Sequence, residues 1–171
     1  MELLGALGAA DGVDPMLEVF TRTPVPDPIH EKVLVVLPGL GRVVLEPALR
    51  AYAESSHDET RDSICAILAE LGVRDARIYE LLLAQLPRTP LDAASNLQHY
   101  GDERAIPHLA RALEEWVLGR SDGLFTEVPA VVLAQAITRL GGTLTDVQRQ
   151  NRDDAQALLD ARWAVRRDGT N

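Results

Sequence analysis

From the first residues to Leu140, apolar side chains recur three and four positions apart in runs that close on a glycine, the spacing of amphipathic helices with a C-terminal stop. Aligned on that residue, "ELLGALG" ends at Gly8, "HEKVLVVLPGLG" at Gly41, "RDSICAILAELG" at Gly72, "PLDAASNLQHYG" at Gly101 and "AVVLAQAITRLG" at Gly141. The intervals are 33, 31, 29 and 40 residues. Leu4, Leu37, Leu68, Leu97 and Ile137 stand four residues before the glycine, and Leu7, Leu40, Leu71, Tyr100 and Leu140 one before it. Such self-similarity is the mark of stacked helix pairs. After three of the glycines a second helix opens with an early proline, at Pro15, Pro47 and Pro107, where the missing amide has no helical partner to lose.

These landmarks predict helices over about 2–8, 13–22, 29–40, 44–55, 58–71, 75–86, 91–100, 103–118, 127–140 and 145–165. The three prolines of "TRTPVPDPIHE" make a stiff connection, and "GRSDGLFT" accounts for the longest interval. After Gly142 polar residues outnumber apolar ones. Thr145 or Asp146 can cap this last helix, while Leu144, Val147, Leu158, Leu159 and Trp163 can dock it on the preceding pair. The expected architecture is therefore all-α: a right-handed α-solenoid of about four stacked helix pairs, with repeats over about 1–142 and a polar C-terminal capping helix over 143–171, forming a single domain across 1–171.

Composition agrees with helices. Leu, Ala and Val supply most of the 46% hydrophobic content, and aromatics only 4%. At 171 residues the chain is long enough to bury roughly 70% of its unfolded surface, so neither a metal nor a disulfide is needed for a core. The single Cys65 lies in the apolar run "SICAILAEL" and reads as core. "MELLGALGAADG" has no basic stretch followed by a long apolar one, and no window approaches a membrane span, so a soluble cytoplasmic protein is expected, with no membrane partner. A net charge of −9, with Lys32 the only lysine, disfavours nucleic acid.

"LGALGAADGVDPMLEVF", "TRDSICAILAELG" and "YGDERAIPHLARAL" resemble bacterial HEAT-like repeats, the type also found in phycobilisome lyases, over about Leu4 to Gly142. The resemblance implies an α-solenoid, and a scaffolding role more than a particular chemistry. Members carry an Arg eleven residues before the glycine, a slot held here by His30, Arg61, Pro90 and Ala130, so the ladder of polar contacts built on that Arg is not expected. The chain also begins partway through a repeat, as a short cap or as one end of a larger array. The His30-Glu31 pair is similar to one of the repeated His-Glu pairs of the HEAT-type di-iron hydroxylase of deoxyhypusine. That site takes several pairs and this chain has one, so no iron site carries over.

On a helical wheel, positions three, four, six, seven and ten after the ladder slot share an apolar arc, as with Ile64, Cys65, Ile67, Leu68 and Leu71. The opposite arc holds Glu31, Val35 and Gly39; Asp62, Ala66 and Glu70; Leu91, Ser95 and His99; Val131, Gln135 and Arg139. In a HEAT-like array this arc lines the concave surface. Small and apolar residues run along its middle, acids lie toward one end, and Gln135 and Arg139 toward the other. Such a groove can accept a peptide or a helix. The predicted partner-binding residues are Glu31, Val35, Asp62, Ala66, Glu70, Ser95, His99, Gln135 and Arg139.

Other clusters point elsewhere. His57, Asp58 and Glu59 begin a helix, where acids suit its dipole. His99, Asp102, Glu103 and His108 surround a repeat turn without a metal-ligand spacing. Asn96 occupies a core slot and is expected to bond backbone. Leu124 and Phe125 can staple the following helix or anchor a partner. No nucleophile with an adjacent base, phosphate loop or cysteine pair is present, so no catalytic residue, cofactor or metal is assigned. The expected function is a protein-interaction scaffold or adaptor. The alternatives are an acidic immunity or antidote protein against a basic enzyme, and a lyase-like or non-catalytic enzyme subunit.

Overall fold

A computed structural model describes residues 9–23, 27–116 and 127–168. Among them are nine α-helices and no strand: α1 (Ala9–Arg22), α2 (Pro28–Val36), α3 (Leu45–Glu54), α4 (Asp58–Glu70), α5 (Ala76–Gln85), α6 (Pro90–Tyr100), α7 (Ile106–Glu115), α8 (Val128–Arg139) and α9 (Asp146–Asp168). The helix predicted over 2–8, its Gly8 and the Leu124–Phe125 anchor lie outside the described residues. Two compact units divide the chain, Met1–Leu82 and Leu83–Asn171, the boundary falling inside α5.

Gly41, Gly72, Gly101 and Gly141 all have positive φ, between 66° and 90°, as the repeat alignment expects of its final glycine, although Gly41, with ψ −139°, lies inside a 3-10 segment and not at the end of α2. At the end of α8 the amide of Gly142 reaches the Ile137 carbonyl (2.9 Å) and that of Gly141 the Thr138 carbonyl (3.1 Å), pairing carbonyls that a helix end leaves open. Gly142 is confined by packing. A Cβ there would meet Ile137 Cγ2 at 2.8 Å and Ile106 Cγ2 at 3.0 Å. Gly142→Ala should therefore cost about 1–3 kcal/mol, read from the urea midpoint at unchanged m-value.

In the first unit α1, α3 and α4 pack in sequence, with α2 against α1 and α4. Phe20, Leu37, Ile64, Ile67 and Leu68 are fully enclosed. Two boundaries differ from the predicted ones. α1 starts at Ala9, four residues early, so Pro15 stands in its second turn and leaves the Asp11 carbonyl without its helical donor. α2 stops at Val36 instead of continuing to residue 40, because Pro38 has no amide for the Leu34 carbonyl. The chain tightens into a 3-10 segment over Pro38–Val44, where the Leu40 amide bonds the Leu37 carbonyl (3.0 Å). Asp27 caps α2 by accepting from the Ile29 amide at 2.8 Å. His30 is buried, its ring stacked on Phe20 with centroids 4.1 Å apart. Its Nε2–H donates to the Thr23 carbonyl at 2.9 Å, which ties the end of α1 to the first turn of α2.

In the second unit α8 packs against α6, α7 and α9. Thr145 caps α9 with a reciprocal box: the Gln148 amide donates to Thr145 Oγ1 (3.2 Å) and the Thr145 amide to Gln148 Oε1 (2.9 Å). Gln148, Ala155 and Leu159 form the helix's buried row, with Leu144 before it. Of the five residues expected to dock α9, Leu144 and Leu159 do so. Val147, Leu158 and Trp163 are instead 63%, 45% and 51% exposed. At 100° per residue they fall roughly 60–100° around the helix from the buried row. Two polar contacts complete the docking: Gln148 Nε2 donates to Glu114 Oε1 (2.9 Å), and Arg162 pairs with the buried Glu127 (3.0 Å).

Asn96 is buried, as its core slot requires, but its partner is a side chain. Its amide donates to Gln85 Oε1 at 3.1 Å, and Gln85 is itself 2% exposed. An amide pair satisfies two buried polar groups at once, where a backbone partner would have left Gln85 to find its own.

Candidate functional site

α2 and α4 pack together in the first unit, and Glu31 and Val35 on α2 correspond to Asp62 and Ala66 on α4, while Gly39, the sequence counterpart of Glu70, lies beyond α2 in the 3-10 segment. Glu31, Gly39 and Glu70 are exposed, and Asp62 and Ala66 half-buried. Val35 is 78% exposed, more than any other large apolar side chain among the described residues. Ile29 and Val36 on the same short helix are exposed at 44% and 48%. One residue beyond half-buried Ala66, Ile67 is fully enclosed, so burial rises from the outward arc of α4 to the inward one.

In the second unit the corresponding rows belong to α6 and α8. His99, Gln135 and Arg139 are exposed, and Ser95 is half-buried. Leu91 is 38% exposed. Val131, placed on the outward arc by the wheel, is buried at 8%, because it lies in the first turn of α8, where the helix enters the packed α6–α7–α8 layer. The two faces differ in charge: the α2–α4 rows carry three carboxylates, the α6–α8 rows none and one guanidinium, that of Arg139.

The remaining clusters are engaged structurally. Asp102 accepts from the Arg104 amide (3.0 Å) and binds its guanidinium (2.6 Å from Nη2 to Oδ2). Among the described residues no group of three or more His, Cys, Asp or Glu side chains is placed to hold a metal ion. His57 precedes α4 without capping it through its side chain. Asp58 and Glu59 occupy the first turn, and Ser55 Oγ accepts from the His57 amide (3.3 Å). Cys65 is buried in α4. No helix among the described residues is long and apolar enough to cross a membrane.

Two features were missed from sequence. The first is the spacing Asp-x-Arg, present as Asp75–Arg77 and Asp102–Arg104, in which the aspartate caps the next helical segment and the arginine folds back onto it. Arg77 also grips Glu46 at the start of α3 through Nη1 (3.1 Å) and Nη2 (2.6 Å), making a polar link between α3 and α5. The side-chain and backbone hydrogen bonds from Arg77 hold the Asp75 carboxyl down at about 2, from an ordinary 3.8. A depressed carboxyl stabilises the fold fully above its ordinary value and loses that contribution as pH falls through the folded one. The link should thus persist down to pH 4 and weaken toward pH 2. Carboxyl NMR titration should show Asp75 near 2, and Arg77→Ala should return it toward the ordinary range.

The second is a cleft of about 600 Å³ between α1 and α3, lined by Asp14, Glu18, Arg22, Arg50, Glu54 and His57. It arises only from tertiary packing. Its arginines already pair internally, Arg22 with Glu18 (2.8 Å) and Arg50 with Asp14 (3.6 Å), so entry there means breaking existing ion pairs. The outward rows of α2 and α4 instead offer uncovered apolar surface. No protein-family pattern, curated protein or solved structure matches the chain.

Proposed function

We propose that this protein is a HEAT-like α-solenoid scaffold or adaptor, and that it binds a partner protein or peptide through the outward rows of its second helices. The observation that carries this reading is Val35. An aliphatic side chain 78% exposed in the middle of a row, beside half-buried Ala66 and flanked by charged groups, is apolar surface that a partner would remove from water. The repeated glycine-ended helices support the solenoid, since each helix pair has a face that only a neighbouring pair can bury.

Ala66→Arg tests the reading. The position points away from the core, so the melting temperature should move by less than about 2 °C, while proteins retained by the immobilised wild type are lost. Retention of the same proteins by a folded Ala66→Arg variant would move the interaction off this face.

A further inference from the structure

We infer that the start of α4 is a second binding site, separate from the α2–α4 rows, for the main chain of an extended peptide segment that carries a basic side chain. A cleft of about 600 Å³ lies between the end of α1 and the start of α4, with Arg22, Ser56, His57, Asp58, Glu59 and Thr60 in its lining. Thr60, in the first turn of α4, is 8% exposed, yet its hydroxyl has no hydrogen-bond partner among the described residues. A buried hydroxyl in that state marks a place where a hydrogen bond has still to be made. The backbone around it is in the same condition. His57 precedes α4 without a side-chain cap, and the amides of Asp58, Glu59 and Thr60 have no partner among the described residues. Helix geometry points those amides, and tilts the Thr60 side chain, toward the N-terminal end, where the cleft lies.

Four donors therefore lack an acceptor, and charge decides which kind fits. Arg22 is already paired with Glu18 at 2.8 Å and Asp58 lies 3.7 Å from Arg61, whereas the Glu59 carboxylate has no ion partner among the described residues. The uncompensated charge of the lining is thus negative, and a phosphate or carboxylate seated on the amides would lie beside it at a Coulombic cost. An amide carbonyl accepts the same hydrogen bonds without charge. Inside a helix or a sheet such carbonyls are engaged, and an extended segment leaves them open. A lysine or arginine on that segment supplies the cation that Glu59 lacks, and the chain's charge of −9 favours its approach.

The full-length protein can be followed by amide NMR while acetyl-Gly-Lys-Gly-amide is added, with acetyl-Gly-Glu-Gly-amide, acetate and inorganic phosphate as comparators. The lysine peptide should bind in the millimolar range and shift the amides of Asp58, Glu59 and Thr60 most, and the three comparators should shift them less at equal concentration. Thr60→Val should weaken binding about fivefold and leave the melting temperature within about 2 °C of wild type or above it, because no hydrogen bond within the protein is lost. Glu59→Gln should weaken binding about two- to fivefold, the range of an exposed ion pair. His57→Asp supplies the acceptor from within: an aspartate there takes the first-turn amides, so it should raise the melting temperature and abolish binding. Ala66→Arg, further along α4, should leave binding within about twofold, which separates this site from the α2–α4 docking face. Acetate or phosphate binding more tightly than the lysine peptide at these amides would overturn the peptide assignment. Full binding by a folded His57→Asp or Thr60→Val variant, shifts scattered away from the start of α4, or no shift at all would overturn the site. A Thr60→Val protein that melts lower than stated would make the hydroxyl structural, and would overturn it too.

Discussion

Ile67→Asp should unfold the first compact unit. The side chain is fully enclosed in α4, between Ala66 on the outward row and the buried Leu68. An unpaired buried charge costs several kcal/mol, and loss of the isoleucine's own packing adds about 2–5 kcal/mol. A domain holds about 5–15 kcal/mol in all, so one substitution consumes much of the total. Far-UV circular dichroism should show loss of helix at 25 °C, or a urea midpoint near zero. Ala66→Arg, one residue away, should retain wild-type helix content, and that contrast isolates burial from charge. An Ile67→Asp protein melting within a few degrees of wild type would mean that α4 is rotated from the orientation described.

That contrast was legible in the periodicity because helix burial repeats with the geometry of the backbone itself. Ile64, Cys65, Ile67, Leu68 and Leu71 are all buried, and Gly72, Gly101 and Gly141 follow their helices with the positive φ of a C-terminal stop. What escaped depends on contacts between residues distant in sequence or on one dominant backbone constraint. Pro38 overrode the apolar pattern that would have carried α2 to residue 40. The direction of Asn96 was readable, but its partner Gln85 sits eleven residues away on another helix, and only packing joins the two amides. The link from Arg77 to Glu46 spans 31 positions, and the Asp-x-Arg spacing beside it went unread as a local cap. On α9 the polar character was plain, yet Val147, Leu158 and Trp163 were assigned to the core by hydrophobicity alone. The buried row follows Gln148, Ala155 and Leu159 because a capping box and two polar contacts set the helix's rotation. Of the predicted binding residues, the wheel gave the side of the helix each one occupies. Exposure added the distinction it lacked, that Val35 stands well out from α2 while Asp62, Ala66 and Ser95 are half-buried.

Deleting Thr143–Asn171 should damage the second unit more than the polar sequence of that segment suggests. α9 contributes only a narrow apolar row, Leu144, Ala155 and Leu159, but it closes over α8, whose Leu133, Ala136 and Ile137 are fully enclosed. Its removal opens that surface on one side and exposes apolar area that favours self-association. It also takes away Arg162, the ion partner of Glu127, a carboxylate whose side chain is 4% exposed, and Gln148, which binds Glu114. Arg162 is 45% exposed, so water reaches one side of this pair and its loss costs less than the roughly 3–5 kcal/mol of a fully buried one. The truncated protein should therefore lose a few kcal/mol by urea titration and elute from a sizing column as concentration-dependent oligomers. Arg162→Ala separates the two contributions, since it keeps the apolar row covered: it should lower stability without producing oligomers. A truncated chain that stays monomeric and as stable as the intact one would show that α9 does not cover α8 in solution.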